Sequence, residues 1–143
     1  MRRRWLLLLA PLLLVDRASA RSGAPGERRI WMTVGPRRFE IALTDDAAAD
    51  ALLKRLPISL DFEDLNGNEK HVELPDALPA TPVRPGTIRP GDLMLYGSRT
   101  LVVFYAGFES SYAYTRLGRV LDPAGLAQAL GAGAVRIAFT REP

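Results

Sequence analysis

The feature that most constrains this chain is a series of short apolar segments with a two-residue period, cut at close intervals by turn signals. Phe39, Ile41 and Leu43 alternate with polar neighbours, as do Ile58, Leu60 and Phe62, and again Val135, Ile137 and Phe139. Successive side chains of a strand point to opposite faces, so each segment predicts a strand with one buried face. Gly35-Pro36, Asn66-Gly67-Asn68 and Gly97-Ser98-Arg99 punctuate them as turns. Strands joined this closely pair as antiparallel neighbours.

The rest of the chain fits the same scheme. Ile30–Val34 opens it as a strand, and Glu69–Leu74 returns from the Asn-Gly-Asn turn. Leu93–Tyr96 and Leu117–Leu121 read as further strands. Leu101–Tyr105 is apolar without interruption, which predicts a strand covered on both faces. One helix is expected from a cap at Thr44 or Asp45 to about Leu56, with Ala48, Ala51, Leu52 and Leu56 on one side and Pro57 ending it. A second is expected over Ala124–Leu130, with Asp122 as its cap, Pro123 in its first turn and Gly131 stopping it. Five prolines between Pro75 and Pro90 cannot join a sheet interior and predict a long loop, and Gly107–Ala113 predicts another. About eight strands and two helices make a mainly β domain, a closed antiparallel barrel whose open ends the helices cap. Its core is expected to comprise Met32, Phe39, Ile41, Leu52, Leu60, Phe62, Leu93, Leu95, Val102, Phe104, Leu117, Val135, Ile137 and Phe139.

Composition excludes several kinds of chemistry. The chain has no cysteine and a single histidine, His71, so a disulfide scaffold, a thiolate or multi-histidine metal site and thiol catalysis are ruled out. No metal and no cofactor is expected. Arg2, Arg3, Arg4 and Arg17 against Asp16 account for the whole net charge of +3, so the remainder is neutral and offers no footprint for nucleic acid. Met1–Ala20 reads as a secretory signal peptide. Arginines precede the 11-residue apolar run Trp5–Val15, and Ala18-Ser19-Ala20 supplies a small-residue cleavage site. Eleven residues are too few to span a bilayer as a helix. The expected organisation is a signal peptide over residues 1–20, a flexible tether over 21–29 and one domain over 30–141, exported to the periplasm or beyond and not embedded in a membrane.

Several segments, taken in order, carry a resemblance. They are Leu65-Asn66-Gly67-Asn68-Glu69-Lys70, Gly91-Asp92-Leu93-Met94-Leu95-Tyr96-Gly97, Leu101-Val102-Val103-Phe104-Tyr105, and Tyr112-Ala113-Tyr114-Thr115-Arg116-Leu117-Gly118-Arg119-Val120 followed by Asp122-Pro123-Ala124-Gly125-Leu126. Together they resemble the small bacterial cyclophilin-like domain family, from about Ile30 to Phe139. The resemblance implies an eight-stranded closed barrel with two helices. True cyclophilins set an arginine, a phenylalanine and a histidine on one strand to catalyse proline isomerisation. Arg37-Arg38-Phe39-Glu40 is the nearest match here and lacks the histidine. Aligned on Gly118, their pocket histidine falls at Tyr114 and their pocket tryptophan at Glu109. Measurable isomerisation is therefore not expected.

The candidate site follows from aromatic density. Tyr96, Phe104, Tyr105, Phe108, Tyr112 and Tyr114 fall within nineteen residues, as barrel core and loop packing or as an aromatic wall for a ligand. Tyr96, Phe104, Tyr114, Arg116 and Glu69 are the candidate ligand-binding residues, with Arg116 as the polar group of the wall. Glu69-Lys70 either pins its turn by an ion pair or sends Glu69 to Arg116. Asp61, Glu63 and Asp64 read as a solvated edge, and His71 as solvated or packed rather than a general base. The function expected is a binding module for a small molecule or an extended peptide, the alternative being a weak peptidyl-prolyl isomerase.

Overall fold

The computed structural model describes residues 28–143. The leader Met1–Ala20 and the tether up to Glu27 lie outside the described residues. The elements in chain order are β1 (Arg28–Val34), β2 (Arg37–Leu43), α1 (Ala47–Lys54), β3 (Ile58–Leu65), β4 (Glu69–Glu73), β5 (Gly86–Ile88), β6 (Asp92–Tyr96), β7 (Thr100–Phe104), β8 (Phe108–Ser110), β9 (Thr115–Val120), α2 (Leu126–Leu130) and β10 (Val135–Thr140). Eight strands close into an antiparallel barrel in the order β1-β10-β3-β4-β7-β6-β9-β2, and β5 pairs with β8 in a separate two-stranded sheet. The mainly β barrel with two helices is thus the architecture that the alternation predicts. Arg28 and Arg29, read above as the end of the tether, are paired residues of β1.

The strand period sorts side chains between two apolar clusters. The barrel interior holds Ile30 and Met32 from β1, Ile41 from β2, Phe62 from β3, Leu93 and Leu95 from β6, Leu101 and Val103 from β7, Leu117 from β9, and Ile137 and Phe139 from β10. The rings of Phe62 and Phe139 meet there with centroids 6.2 Å apart. α1 packs Ala48, Ala49 and Leu52 against this core, and α2 packs Leu126 and Leu130.

The second cluster lies on the outer face of the wall. Val102 and Phe104 alternate with Leu101 and Val103, so they project away from the interior. They are buried instead with Ile88, Met94 and Tyr114, and Phe108 packs alongside. The uninterrupted apolar run of β7 is covered on both faces, as its composition predicts, but Val102 and Phe104 belong to this outer layer and not to the barrel core. Leu60 and Val135, also expected in the core, are only partly buried at its margin.

Local differences have local causes. Asp46, not Thr44 or Asp45, caps α1: its carboxylate accepts from the Ala49 N–H at 2.9 Å. α2 starts at Leu126 because Gly125 takes a left-handed conformation, φ +78°, and interrupts the turn begun at Pro123. The Asp122 carboxylate closes a turn on the Ala124 N–H at 3.1 Å instead of capping the helix. The two predicted loops each contain a three-residue strand, β5 and β8, with Ile88 opposite Phe108. Val83 and Tyr114 form an isolated bridge beside them.

Candidate functional site

The groove is built on the outward-facing positions of β4, β7 and β6. Register sets Glu69 opposite Phe104 and His71 opposite Val102 across β4 and β7. Met94 lies opposite Val102 across β6 and β7, with Tyr96 opposite Thr100. Phe104 meets Tyr114 edge-on, centroids 5.5 Å apart, and Phe108 at 5.7 Å. On this floor stand Tyr96 and Tyr112 in an edge-to-face contact of 6.3 Å, with Tyr96 also 5.8 Å from Tyr114. Tyr96 is 49% exposed and Tyr112 62%, high values for large aromatic side chains in mutual contact. A groove of about 330 Å³ runs between them and is bounded by Leu65, Asn66, Glu69, His71, Thr100 and Val102.

Of the candidate residues, Glu69, Tyr96 and Tyr114 line this groove, and Phe104 lies beneath it, fully buried. Arg116 does not reach it. It is exposed and lines a different cleft together with Arg89 and Arg119. The expectation that Arg116 supplies the polar group of the aromatic wall, or receives Glu69, is therefore corrected. The reason is strand geometry: Arg116 sits opposite Met94 on the β9 side of β6, whereas Glu69 sits beyond β7 on the other side.

Besides Asn66, Thr100 and the tyrosine hydroxyls, the polar groups at the groove are Glu69 and His71, two residues apart on one face of β4. Glu69 is buried, with 8% of its surface exposed. Burial raises its carboxyl above the ordinary value, against the pull of His71. Burial likewise raises the Tyr114 phenol, partly offset by its hydrogen bond with Ser110. Among the described residues, no group of three or more His, Asp or Glu side chains is placed to hold a metal ion.

Glu69 and its neighbour Lys70 face opposite sides of the barrel wall. Lys70 points inward and is completely buried. Its Nζ donates to Asp64 Oδ1 at 2.9 Å, to the Gly131 carbonyl at 2.8 Å and to the Gly133 carbonyl at 2.7 Å. The Tyr105 hydroxyl donates to the same Asp64 oxygen, and the Lys70 Nζ lies 5.3 Å from the centre of the Tyr105 ring. These bonds, Tyr105 first and Lys70 second, hold the Asp64 carboxyl below its usual value. Burial, reinforced by Asp64, pushes the Tyr105 phenol up to about 12. Of the pair read above as a turn clip, Lys70 therefore ties the α2–β10 connection to the barrel end. Asp64 does not belong to the solvated edge expected of Asp61, Glu63 and Asp64, and the alternation itself carries the signal. Two residues on from Phe62, Asp64 shares the inward face. Asp61 does lie on the outer side, ion-paired to Arg136 at 3.0 Å with both side chains mostly exposed.

A closed eight-stranded antiparallel barrel with two short helices is consistent with a cyclophilin-like fold. The sequence profile of the cyclophilin-like family matches residues 32–140, and the chain belongs to that family. Among solved structures, the solution structure of a hypothetical protein from Archaeoglobus fulgidus is similar, with a TM-score of 0.53 and 16% identity over 80% of this chain and 95% of that one. At that identity the likeness speaks for the fold alone. A search of curated proteins found no match.

Proposed function

We propose that this cyclophilin-like protein is an exported binding module whose outer groove holds an extended peptide segment or a small, largely apolar molecule. The observation that carries the reading is the pair of exposed tyrosines, Tyr96 and Tyr112, standing on a buried aromatic floor. Tyrosine gives a large, stiff contact area with a polar tip, which suits recognition of a ligand that is apolar in its body. Glu69 and His71, with Asn66 and Thr100, supply the polar groups that would orient it. The secretory features of Met1–Ala20 support export. No helix among the described residues is long and apolar enough to cross a membrane. Among the described residues no arginine lines the groove, and a prolyl nitrogen would find no guanidinium of theirs there. Binding without isomerisation is the reading this favours.

The test is a fragment and peptide screen followed by amide chemical shifts, with an Ala-Pro-Phe peptide among the probes. Saturable shifts should map to Glu69, Tyr96, Tyr112 and Tyr114. The double substitution Tyr96→Ala with Tyr112→Ala should weaken the bound probe by about tenfold or more. The same peptide in a chymotrypsin-coupled assay should isomerise at the background rate. Probes that leave the groove untouched would overturn the binding site. Isomerisation above background, abolished by the double substitution, would make the groove an active site.

A further inference from the structure

A second cleft, about 500 Å³ in volume, lies on the outer wall where β9 passes β2. It originates in a break of strand alternation. Residues three apart on a regular strand face opposite sides, so Arg116 and Arg119 would be separated by the wall. Here the pairing of β6 with β9 slips between Leu93 and Met94: Leu93 lies opposite Gly118, while Met94 lies opposite Arg116. Leu117 is fully buried in the barrel core, and Gly118 pairs with the core residues Leu43 and Leu93. Both arginines are left on the outside, and both line the cleft. Bulges of this kind re-aim side chains and are over-represented beside binding sites. Gly118 permits the close approach of the strands, since a Cβ there would stand 2.4 Å from the Ala42 carbonyl oxygen.

The proline-rich connection brings the third cation. Arg89 follows β5, and the Asp92 carboxylate fixes its backbone by accepting from the Arg89 N–H at 2.9 Å. Thr87 and Thr44 also border the cleft. Their hydroxyls are already engaged, Thr87 donating to Glu109 at 2.6 Å and Thr44 to the Leu117 carbonyl at 3.2 Å. Among the described residues, Asp92 is the one acidic residue in the lining, against Arg89, Arg116 and Arg119. Several arginines elsewhere serve as fasteners: Arg55 bonds the carbonyls of Asp76 and Ala77, Arg99 those of Leu74 and Pro75, and Arg136 pairs with Asp61. The three guanidinium groups of the cleft make no such bond among the described residues.

We propose that this cleft binds a small molecule through a multiply charged oxyanion group. Guanidinium is a planar fork of N–H donors that matches phosphate and carboxylate oxygens two at a time, and it keeps its charge throughout the physiological range. Several such forks with one carboxylate among them leave a net positive recess. Its volume is that of a small-molecule site. The proposal is independent of the aromatic groove, which shares none of its lining residues.

The experiment is isothermal titration of the protein at low ionic strength with inorganic phosphate, sulfate and citrate, each against a chloride control. At least one of the three should bind saturably. Arg116→Ala and Arg119→Ala should each weaken it by about tenfold. Arg136→Ala, on the β3–β10 wall, should leave it unchanged, as should Tyr96→Ala in the groove. Preference for phosphate or sulfate over citrate assigns the site to phosphoryl or sulfuryl groups, and the reverse assigns it to carboxylates. Absence of saturable binding by all three, or equal weakening by Arg136→Ala, would overturn the proposal. Urea midpoints of the variants should match the parent within error, since none of these side chains is buried.

Discussion

Phe104 and Tyr114 meet edge to face, ring planes at 89°, on the outside of the barrel rather than within it. Their contact joins the wall to the segment that follows β8. Phe104→Ala should therefore cost about 3–5 kcal/mol, the usual result for emptying a fully buried phenylalanine site. It should also collapse the floor under Tyr96 and Tyr112. Urea denaturation reads the first effect, and loss of groove-directed probes reads the second. A midpoint equal to that of the parent would mean that the outer layer contributes nothing to folding.

Lys70 is the most committed charge in the domain. Lys70→Met keeps the stem but leaves the Gly131 and Gly133 carbonyls without their donor, while Asp64 keeps the Tyr105 hydroxyl. The expected loss is about 2 kcal/mol, the scale of losing hydrogen bonds to a charged group. Hydrogen exchange should quicken first at Gly131–Gly133, the connection that the ammonium holds.

Asp64 and Glu69 should tilt the pH dependence of stability in opposite directions. The folded state lowers the Asp64 carboxyl below 3.8, so its contribution is present above that value and is lost as pH falls through the lowered one. Asp64→Asn should be less stable than the parent at neutral pH, with the gap closing in strong acid. The folded state raises the Glu69 carboxyl above 4.5, so the protonated group favours folding and that advantage is lost as pH rises through the raised value. Glu69→Gln should be at least as stable as the parent at pH 7, the two converging below about pH 4.5. Urea midpoints across this range separate the two behaviours.

Gly118→Ala should destabilise by about 2 kcal/mol, the scale of a forced overpacking. The added methyl would meet the Ala42 carbonyl, backbone that cannot swing aside. A thermal melt measures the loss. An oxyanion titration of the same variant would show whether the spacing of Arg116 and Arg119 survives.

What could be read from the sequence was whatever repeats with a period of two. Phe39-Ile41-Leu43 and Val135-Ile137-Phe139 announce strands and their buried faces without help from any neighbour. The run from Leu101 to Tyr105 announces cover on both sides, yet it cannot say which of its residues face inward, since that depends on register with β4 and β6. β5 and β8 are too short to show a period, and β5 lies among prolines. The separation of Arg116 from Glu69 was illegible because it rests on the strand order β4-β7-β6-β9, which sets two strands between them. A single slipped pair between β6 and β9 decides where both arginines of that strand point, and nothing in Arg116-Leu117-Gly118-Arg119 alone marks the slip. Lys70 could have been found: it shares a face with Val72 and Leu74, and a lone charge on an apolar face needs a partner such as Asp64.

The burial of Lys70 also decides how this protein meets amine-directed reagents. The chain contains two lysines against seventeen arginines. Lys54, in the last turn of α1, is exposed, whereas Lys70 has no exposed surface. An acylating label applied to the folded domain should modify the Lys54 side chain and spare that of Lys70 until the barrel end opens. The ratio of the two adducts, followed by mass spectrometry over time, would then be a clock for opening at that end, with the reference lysine built into the same molecule.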